Sequence, residues 1–501
     1  MPDTAKEWAS PNGRHRSTWG GRGKPKRSRR APPGRLLLER PAGDRGSRRW
    51  RIASLAVVTA ALAFIVSLWT GPLGLGGGTS GPARGDKVHG TPAPVGGTPE
   101  PSLGWGLTHT QYSADVGDPA ATERARKALS AESLPQNQHI MGWGADNPEP
   151  SPGRYDFAAL DSRMDLIRAT GGTPVITLCC APDWMKGGTP GRTDWSRPSL
   201  ETAPSPEHYD DFAALAATVA QRYPDVRHFI VWNEFKGFFD DSKQRWNYEG
   251  YTQLYNQVRQ ALKTVNKDNL VGGPYLNMDS FEPGSTTHAS GLKGPWGSVD
   301  QRVLDAFDYW NKHKSGADFV VVDGSSYTHH DETPPNEFRA TDKFTAVGQW
   351  VQERTDLPLW WAEYHVEPNG DRWSEPHRKA VQAAGMIAVV RGGATTGFYW
   401  NPQRRGERCA GCLWRSTEFA DRTGGDTLPM LDLVRRFHAE FPPGTAYRSV
   451  DVTSDDASTV RILADTETTV VVNTEDRALQ VEIEGRTFDM DAYEVLWLDS
   501  V

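Results

Sequence analysis

The sequence predicts an α/β chain: a (β/α)8 (TIM) barrel, a small C-terminal antiparallel β-module, and a single transmembrane helix ahead of both. Three observations carry this. Short apolar runs alternate in order with amphipathic stretches from Leu103 to about residue 440. Thr/Val-rich runs set off by Asp, Glu, Asn and Gly follow Pro443. A charge-free apolar run stands behind a strongly basic N-terminus.

The N-terminal part comes first. Of 56 Lys+Arg and 63 Asp+Glu in 501 residues, 15 basic and 4 acidic residues fall in 1–51, which therefore carries +11. The other 450 residues hold 41 basic and 59 acidic groups, so the net −7 divides into +11 and −18. An acidic body excludes a nucleic-acid binder, which needs a basic footprint to displace counterions. Ile52–Trp69 has no charged residue, and none follows before Arg84. About 18–20 apolar residues cross a bilayer core, and a basic flank stays cytoplasmic. Residues 1–51 thus read as a disordered cytoplasmic tail, 52–75 as a signal anchor, and 76–101, rich in Gly, Pro and Thr, as an extended linker. The expected location is the cell membrane, single-pass, with the C-terminal part outside, or secreted if the anchor is cleaved.

Residues 102–440 are expected to form the barrel. The strand-like runs are Gly104–Thr108, His139–Trp143, Thr173–Leu178, His228–Trp232, Leu270–Pro274, Phe319–Val322, Leu359–Trp361 and Thr396–Trp400. Helical patterns lie near 119–133, 157–170, 207–222, 248–265, 299–314, 341–355, 375–391 and 427–439. Ala213, Leu215, Ala216, Val219 and Ala220 illustrate the helical spacing. Strands alternating with helices make a parallel sheet, and eight units close a barrel. An open doubly wound sheet would show a Gly-rich turn after its first strand; here that turn reads Thr108-His109-Thr110-Gln111. Residues 441–501 are expected to form a β-sandwich-like module from Arg461–Leu463, Thr469–Val472, Leu479–Ile483 and Tyr493–Trp497. So few residues are marginal alone, which requires packing on the barrel.

Barrel active sites lie at the C-terminal ends of the strands. The fourth run ends Trp232-Asn233-Glu234-Phe235 and the seventh ends Trp361-Ala362-Glu363-Tyr364. These runs oppose each other across an eight-stranded ring, so Glu234 and Glu363 can face one another. Glycoside cleavage needs such a pair, one protonated to release the leaving oxygen and one ionised to attack. A lone Glu there would read as a rim salt bridge; two, one of them after Asn, read as a catalytic pair. The 19 Trp exceed what a core needs, and sugar sites are lined with aromatic rings. Trp143, Trp184, Trp232, Trp361 and Trp400 fall at or near strand ends, each also open to ordinary core packing.

Asn233-Glu234 with Glu363 resembles the signature of the clan A retaining glycoside hydrolases. The stretches Asn147-Pro148-Glu149-Pro150-Ser151-Pro152-Gly153-Arg154-Tyr155-Asp156-Phe157 and Ala181-Pro182-Asp183-Trp184-Met185 are most similar to family 39, the xylan 1,4-β-xylosidase-like group. The resemblance implies Glu234 as acid/base, Glu363 as nucleophile, Asn233 as a partner of the sugar 2-hydroxyl and Trp400 as the sugar platform. Met141-Gly142-Trp143 lacks the Arg that many clan members place there. The expected activity is a retaining β-glycosidase on an oligo- or polysaccharide, β-xylosidase-like. An endo-acting glycanase on a cell-surface or biofilm polysaccharide and a catalytically silent carbohydrate-binding barrel are the alternatives.

Further candidates are Trp143 and Trp184 as sugar contacts, His109 as a partner of sugar hydroxyls, and Tyr327 or His329 as the group orienting the nucleophile. No cofactor is expected. His329, His330, Asp331 and Glu332 suggest a metal site only superficially, because adjacent histidines on an extended loop point apart. Cys409 and Cys412 can bridge within their loop, and a bridge from Cys179 or Cys180 to that loop also remains open.

Overall fold

A computed structural model describes residues 100–368, 373–403, 409–453 and 459–499. The predicted tail 1–51, the anchor 52–75 and the linker up to residue 99 lie outside the described residues. Among the described residues no helix is long and apolar enough to cross a membrane.

Eight parallel strands close a barrel: β1 (Gly104–Thr108), β2 (Pro135–His139), β3 (Thr173–Leu178), β4 (His228–Val231), β5 (Leu270–Asn277), β6 (Phe319–Asp323), β7 (Leu359–Trp361) and β8 (Ala394–Trp400). β8 pairs with β1 from Gly104↔Thr396 to Thr108↔Trp400, which completes the ring. The helices are α1 (Pro119–Leu129), α2 (Ala158–Ala169), α3 (Tyr209–Arg222), α4 (Tyr248–Val265), α5 (Gln301–His313), α6 (Asp342–Gln352), α7 (Glu375–Arg391) and α8 (Pro429–Glu440). Several start on a side-chain cap. Asp118 accepts from Ala120 and Ala121 ahead of α1, Asp300 from Arg302 ahead of α5, and Ser374 from His377 ahead of α7. At the floor of the barrel Trp360 stacks on Phe319 at 3.8 Å, within a buried cluster that includes Val175, Ile230, Val321 and Phe398.

The second strand departs from the sequence reading. It is Pro135–His139, not His139–Trp143. Its residues, PQNQH, show no apolar pattern, yet all five are buried. The side chains of Gln136, Asn137 and Gln138 find buried partners. Gln136 Nε2 donates to Thr170 Oγ1 at 3.0 Å, Asn137 Nδ2 to Thr108 Oγ1 at 3.1 Å, and Arg163 Nη1 to Gln138 Oε1 at 2.5 Å. The stretch after it is a turn, with Gly142 and Trp143 at φ 72° and 43°.

A three-stranded antiparallel sheet of Ser280–Phe281, Gly297–Asp300 and Ala289–Gly294 is inserted between β5 and α5, in a stretch with no readable period. The C-terminal module holds two three-stranded antiparallel sheets. One comprises β9 (Val452–Thr453), β12 (Leu479–Ile483) and β13 (Arg486–Met490); the other comprises β10 (Val460–Ala464), β11 (Thr468–Asn473) and β14 (Val495–Asp499). Glu484 and Gly485, at φ 50° and 75°, form the two-residue turn between β12 and β13, and positive φ at both positions is what such a hairpin requires. The module packs on the barrel through Trp497, edge-on to Phe437 at 5.2 Å, and Tyr493, stacked on His377 at 4.1 Å. Cys409 and Cys412 are bridged, whereas Cys179 and Cys180, at the end of β3, are buried free thiols.

Candidate active site

The site is assembled at the C-terminal mouth of the barrel. After β4 the chain turns through Trp232, Glu234 and Phe235 at φ 71°, 50° and 53°. Left-handed backbone at such residues costs about 1–3 kcal/mol each. Packing holds it: Phe235 lies on Tyr251 at 4.0 Å, the Tyr251 hydroxyl donates to Val231 O at 2.8 Å, and the Trp232 indole donates to Lys236 O at 2.8 Å. This turn presents Glu234, which is 8% exposed. From the opposite side β7 delivers Glu363, 2% exposed. His365 just beyond it ties the β7 end to β6, because Ser326 N donates to its carbonyl at 2.7 Å and its own N–H donates to Gly324 O at 3.1 Å.

Asp323, the last residue of β6, completes a trio. One carboxyl oxygen from each of Glu234, Asp323 and Glu363 lies within 4.8 Å of the others. That closeness is in keeping with direct attack by one carboxylate, for which the groups sit ~5–5.5 Å apart. Two unit charges at the upper limit of 4.8 Å repel by about 3.5 kcal/mol at an effective dielectric of ~20. The protein meets this load in three ways. Lys236 Nζ sits 2.7 Å from Glu234 Oε2, and the carboxylates of Glu234, Glu201 and Glu363 outweigh its burial and raise its pKa, so it is charged. The Tyr275 hydroxyl donates to Glu363 Oε1 at 2.5 Å; burial and the Glu363 charge push that phenol well above its ordinary range, so it keeps its proton. Burial and the charges of Glu234 and Glu363 hold the Asp323 carboxyl well above the usual carboxylate range. The trio is close enough to share a cation, but Lys236 and Tyr275 already occupy one oxygen of each Glu.

Tyr275 reaches Glu363 because β5 carries a bulge. Val321 pairs with Pro274 and Val322 with Leu276, so Tyr275 is skipped in the ladder and stands at φ 53°. A bulge next to a site re-aims one side chain. On Glu363 the second oxygen meets His365 Nε2 at 3.3 Å.

Beside Glu234 stands an aromatic wall. Trp143 and Trp400 meet edge-to-face at 6.1 Å, and the Lys236 ammonium lies 5.9 Å from the Trp143 ring centre. His139 fills the angle between them, 4.6 Å from Trp143 and 6.1 Å from Trp400. It is fully buried with no partner on either ring nitrogen among the described residues, and burial together with the Lys236 charge lowers its pKa to about 3, so it is neutral. The Asn233 amide nitrogen is also buried and has no partner among the described residues, while Asn233 Oδ1 lies 3.4 Å from Lys236 Nζ.

Of the residues expected from sequence, the structure brings Glu234, Glu363, Asn233, Trp143 and Trp400 together. Four others lie elsewhere or are already engaged. His109 is fully buried, with Nδ1 on Ser113 Oγ at 2.6 Å and Nε2 on Gln136 Oε1 at 2.8 Å, so neither ring nitrogen is left for a sugar. Burial and the Arg163 charge lower its pKa to about 3. The Trp184 indole donates to Glu149 O at 2.9 Å and its ring packs edge-on to His208, which makes it part of the loop after β3. Tyr327 is buried after β6, where its carbonyl accepts from Ser325 Oγ at 3.0 Å, and Tyr275 and His365 hold the two oxygens of Glu363. His329 is exposed, with its ring on Phe281 at 4.7 Å, and His330 pairs with Glu282, so that histidine pair does not converge. Sequence reasoning missed Asp323, Tyr275, Lys236 and His139. Asp323 stands one residue past the expected end of its strand, where the strand-end rule would have found it; Tyr275 stands at the same place on its own strand, but only the bulge turns it toward Glu363.

Residues 147–395 match the sequence profile "Glycosyl hydrolases family 39". A beta-xylosidase of Caldicellulosiruptor saccharolyticus is 30% identical over 141 residues, 26% of this chain. The matched stretch is 27% of that relative, so the chain matches about a quarter of its length. Among solved structures, a conserved exported protein from Bacteroides fragilis is 13% identical with TM-score 0.51, over 80% of this chain and 98% of that one. A GH39 beta-xylosidase from Caulobacter crescentus is 16% identical with TM-score 0.47, over 80% and 97%.

Proposed function

We propose, from the premise that the chain carries a glycosyl hydrolase family 39 domain, that it is a retaining β-glycosidase, β-xylosidase-like, working by double displacement. The observation that carries the reading is the Glu234–Glu363 pair at opposing strand ends, with oxygens within 4.8 Å and each carboxylate held by its own partner.

Glu363 is the nucleophile. Tyr275 and His365 fix its oxygens, which selects one line of attack on the anomeric carbon and lowers the reorganisation cost of reaction. Glu234 hands a proton to the leaving oxygen as the exocyclic C–O bond breaks. Water then enters, gives its proton to Glu234 and releases the sugar with its configuration kept. Trp143 and Trp400 offer flat apolar faces for the sugar rings, and the free Asn233 amide suits the 2-hydroxyl. A silent lectin has no use for a Tyr O–H placed on a buried carboxylate, which weighs against the binding-only alternative.

The xyloside preference draws on the kinship to the Caldicellulosiruptor saccharolyticus beta-xylosidase. Residues 52–75 are proposed to anchor the enzyme in the cell membrane with the barrel outside, supported by the charge-free run behind Arg48, Arg49 and Arg51. Membrane fractionation and protease accessibility of whole cells test this; a soluble cytoplasmic protein sinks it.

The catalytic reading is tested with nitrophenyl β-xyloside and a 2-fluoro-xyloside. Turnover with retained configuration, and a covalent label mapped by mass spectrometry to the peptide holding Glu363, are expected. An inverted product, or a label elsewhere, refutes it.

A further inference from the structure

The third carboxyl of the mouth has no part in a two-carboxylate mechanism. Asp323 is fully buried, and among the described residues no N–H or O–H donor reaches either of its oxygens. One of those oxygens lies within 4.8 Å of an oxygen of Glu234 and of one of Glu363. Carboxyls crowded together out of water do not all ionise, so one of the three carries a proton. Glu234 already faces the Lys236 ammonium through Oε2 at 2.7 Å, a partner for a carboxylate oxygen and not for an O–H. Glu363 likewise accepts from the Tyr275 hydroxyl. The remaining place for the proton is Asp323.

We propose that Asp323 is a positioning residue that stores the acid proton of the site and supplies it through Glu234. This rests on the retaining-glycosidase reading above. In the free enzyme the Asp323 O–H donates to Glu234. On reaction the Asp323 O–H bond breaks and its proton passes to Glu234, which gives that same proton to the glycosidic oxygen and returns to a carboxylate. The exocyclic C–O bond breaks, Glu363 bonds to the anomeric carbon, and Asp323 is left as a carboxylate. In the second step water adds to that carbon, and its proton returns by way of Glu234 to Asp323. No proton is gained or lost over the cycle apart from those of the water consumed.

The surrounding groups fit this role. From β4 and its turn come Glu234 and Lys236, from β5 and its end Tyr275 and Asp279, from β7 and its end Glu363 and His365, and from α6 the buried Lys343. Burial and the two glutamates favour the neutral acid. Lys343, pushed down to about 8 by burial but held up by Asp279 and Asp323, supplies countercharge when the proton leaves. Its Nζ is fixed on Ser280 Oγ at 3.1 Å.

The test uses Asp323→Asn, which keeps a donor toward Glu234 but cannot release a proton. Three results are expected. Infrared spectra at neutral pH show a protonated-carboxyl band in the wild type that the variant lacks. The kcat/KM for methyl β-xyloside, whose leaving group needs a proton, falls about a hundredfold or more, while nitrophenyl β-xyloside loses less than about tenfold. The alkaline limb of the methyl xyloside pH profile moves to lower pH, because Glu234 must hold the proton alone beside Lys236. All three are required, and the lack of any one overturns the proposal; equal losses on both glycosides with an unmoved limb would mark a structural role. If Asp323→Asn does not fold, Lys236→Met decides. Loss of the ammonium moves the alkaline limb upward, and an unmoved limb overturns the proposal. A wild type that turns over neither xyloside and takes no label on Glu363 defeats the functional reading, and the infrared band then decides the proton's place by itself.

Discussion

Tyr275→Phe removes one oxygen from the most sharply defined contact in the site. The hydroxyl donates to Glu363 Oε1 at 2.5 Å, and both groups are buried. A hydrogen bond to a charged group contributes roughly 1.5–3 kcal/mol. The geometry favours the upper half of that range, because water has no access to take the donor's place. At 1.36 kcal/mol per factor of ten, kcat/KM should fall about 45- to 160-fold. The ring stays in its bulge, so the fold should hold and the melting temperature should shift by only a few degrees. The assay is kcat/KM for nitrophenyl β-xyloside, beside Tyr447→Phe at an exposed tyrosine as the comparison. Tyr447→Phe should change the rate less than about threefold. A Tyr275→Phe enzyme within threefold of wild type would refute the argument, as would a larger effect from Tyr447→Phe.

Other outcomes follow from the same contacts. His109→Ala should leave KM unchanged but cost about 1–3 kcal/mol of stability, because Gln136 and Ser113 lose their buried partner; thermal unfolding beside steady-state kinetics checks it. His109 and His139 both titrate near 3 in the folded chain, below the ordinary 6.5. Between those values the unfolded chain binds protons that the folded one does not, so stability is full above about pH 6.5 and falls as pH drops toward 3, by up to ~1.4 kcal/mol per unit for each. Denaturant titrations between pH 7 and 4.5 should show that slope, and His139→Phe should flatten it. Trp400→Ala should raise KM at least about fivefold with a smaller change in kcat, if its face supports the sugar in ground and transition states alike. Trp184→Phe, which keeps the packing, should leave KM near wild type.

The parts of the barrel that the sequence made legible are those where the burial rule and the residue type agree. Apolar runs such as Thr173–Leu178 and Phe319–Asp323 lie between helices and carry no polar side chain that competes for the interior until their ends. β2 defeats the rule because Gln136, Asn137 and Gln138 are buried by pairing with one another's neighbours and not by being apolar. The inserted sheet at 280–300 was unreadable because its strands mix Gly, Ser, Lys and Ala with no period. In the site, Glu234 and Glu363 were legible because both close an apolar run. Tyr275 was not, because its direction depends on one skipped residue in the β5–β6 ladder, and a bulge leaves no mark in composition. Lys236 stands two places after Glu234 and looks like a solvated loop lysine until the turn at Glu234 and Phe235 folds it back.

The charges of the mouth explain why these unreadable residues matter. With Asp323 neutral and Lys236 positive, the two glutamates leave a net charge of one minus among largely buried groups. A sugar passing through an oxocarbenium-like transition state brings a partial positive charge to the same place, so the stabilisation grows as the barrier is climbed. A second uncompensated minus would instead favour protonating the nucleophile. An extra plus would oppose the developing cation. The sequence pair Glu234 and Glu363 defines the chemistry in outline, but Lys236, Tyr275 and Asp323 set its charge, and each arrives by a local backbone feature: a left-handed turn, a bulge and a strand one residue longer than its apolar run. Substitutions that alter only this charge should therefore move the pH limbs before they move the fold.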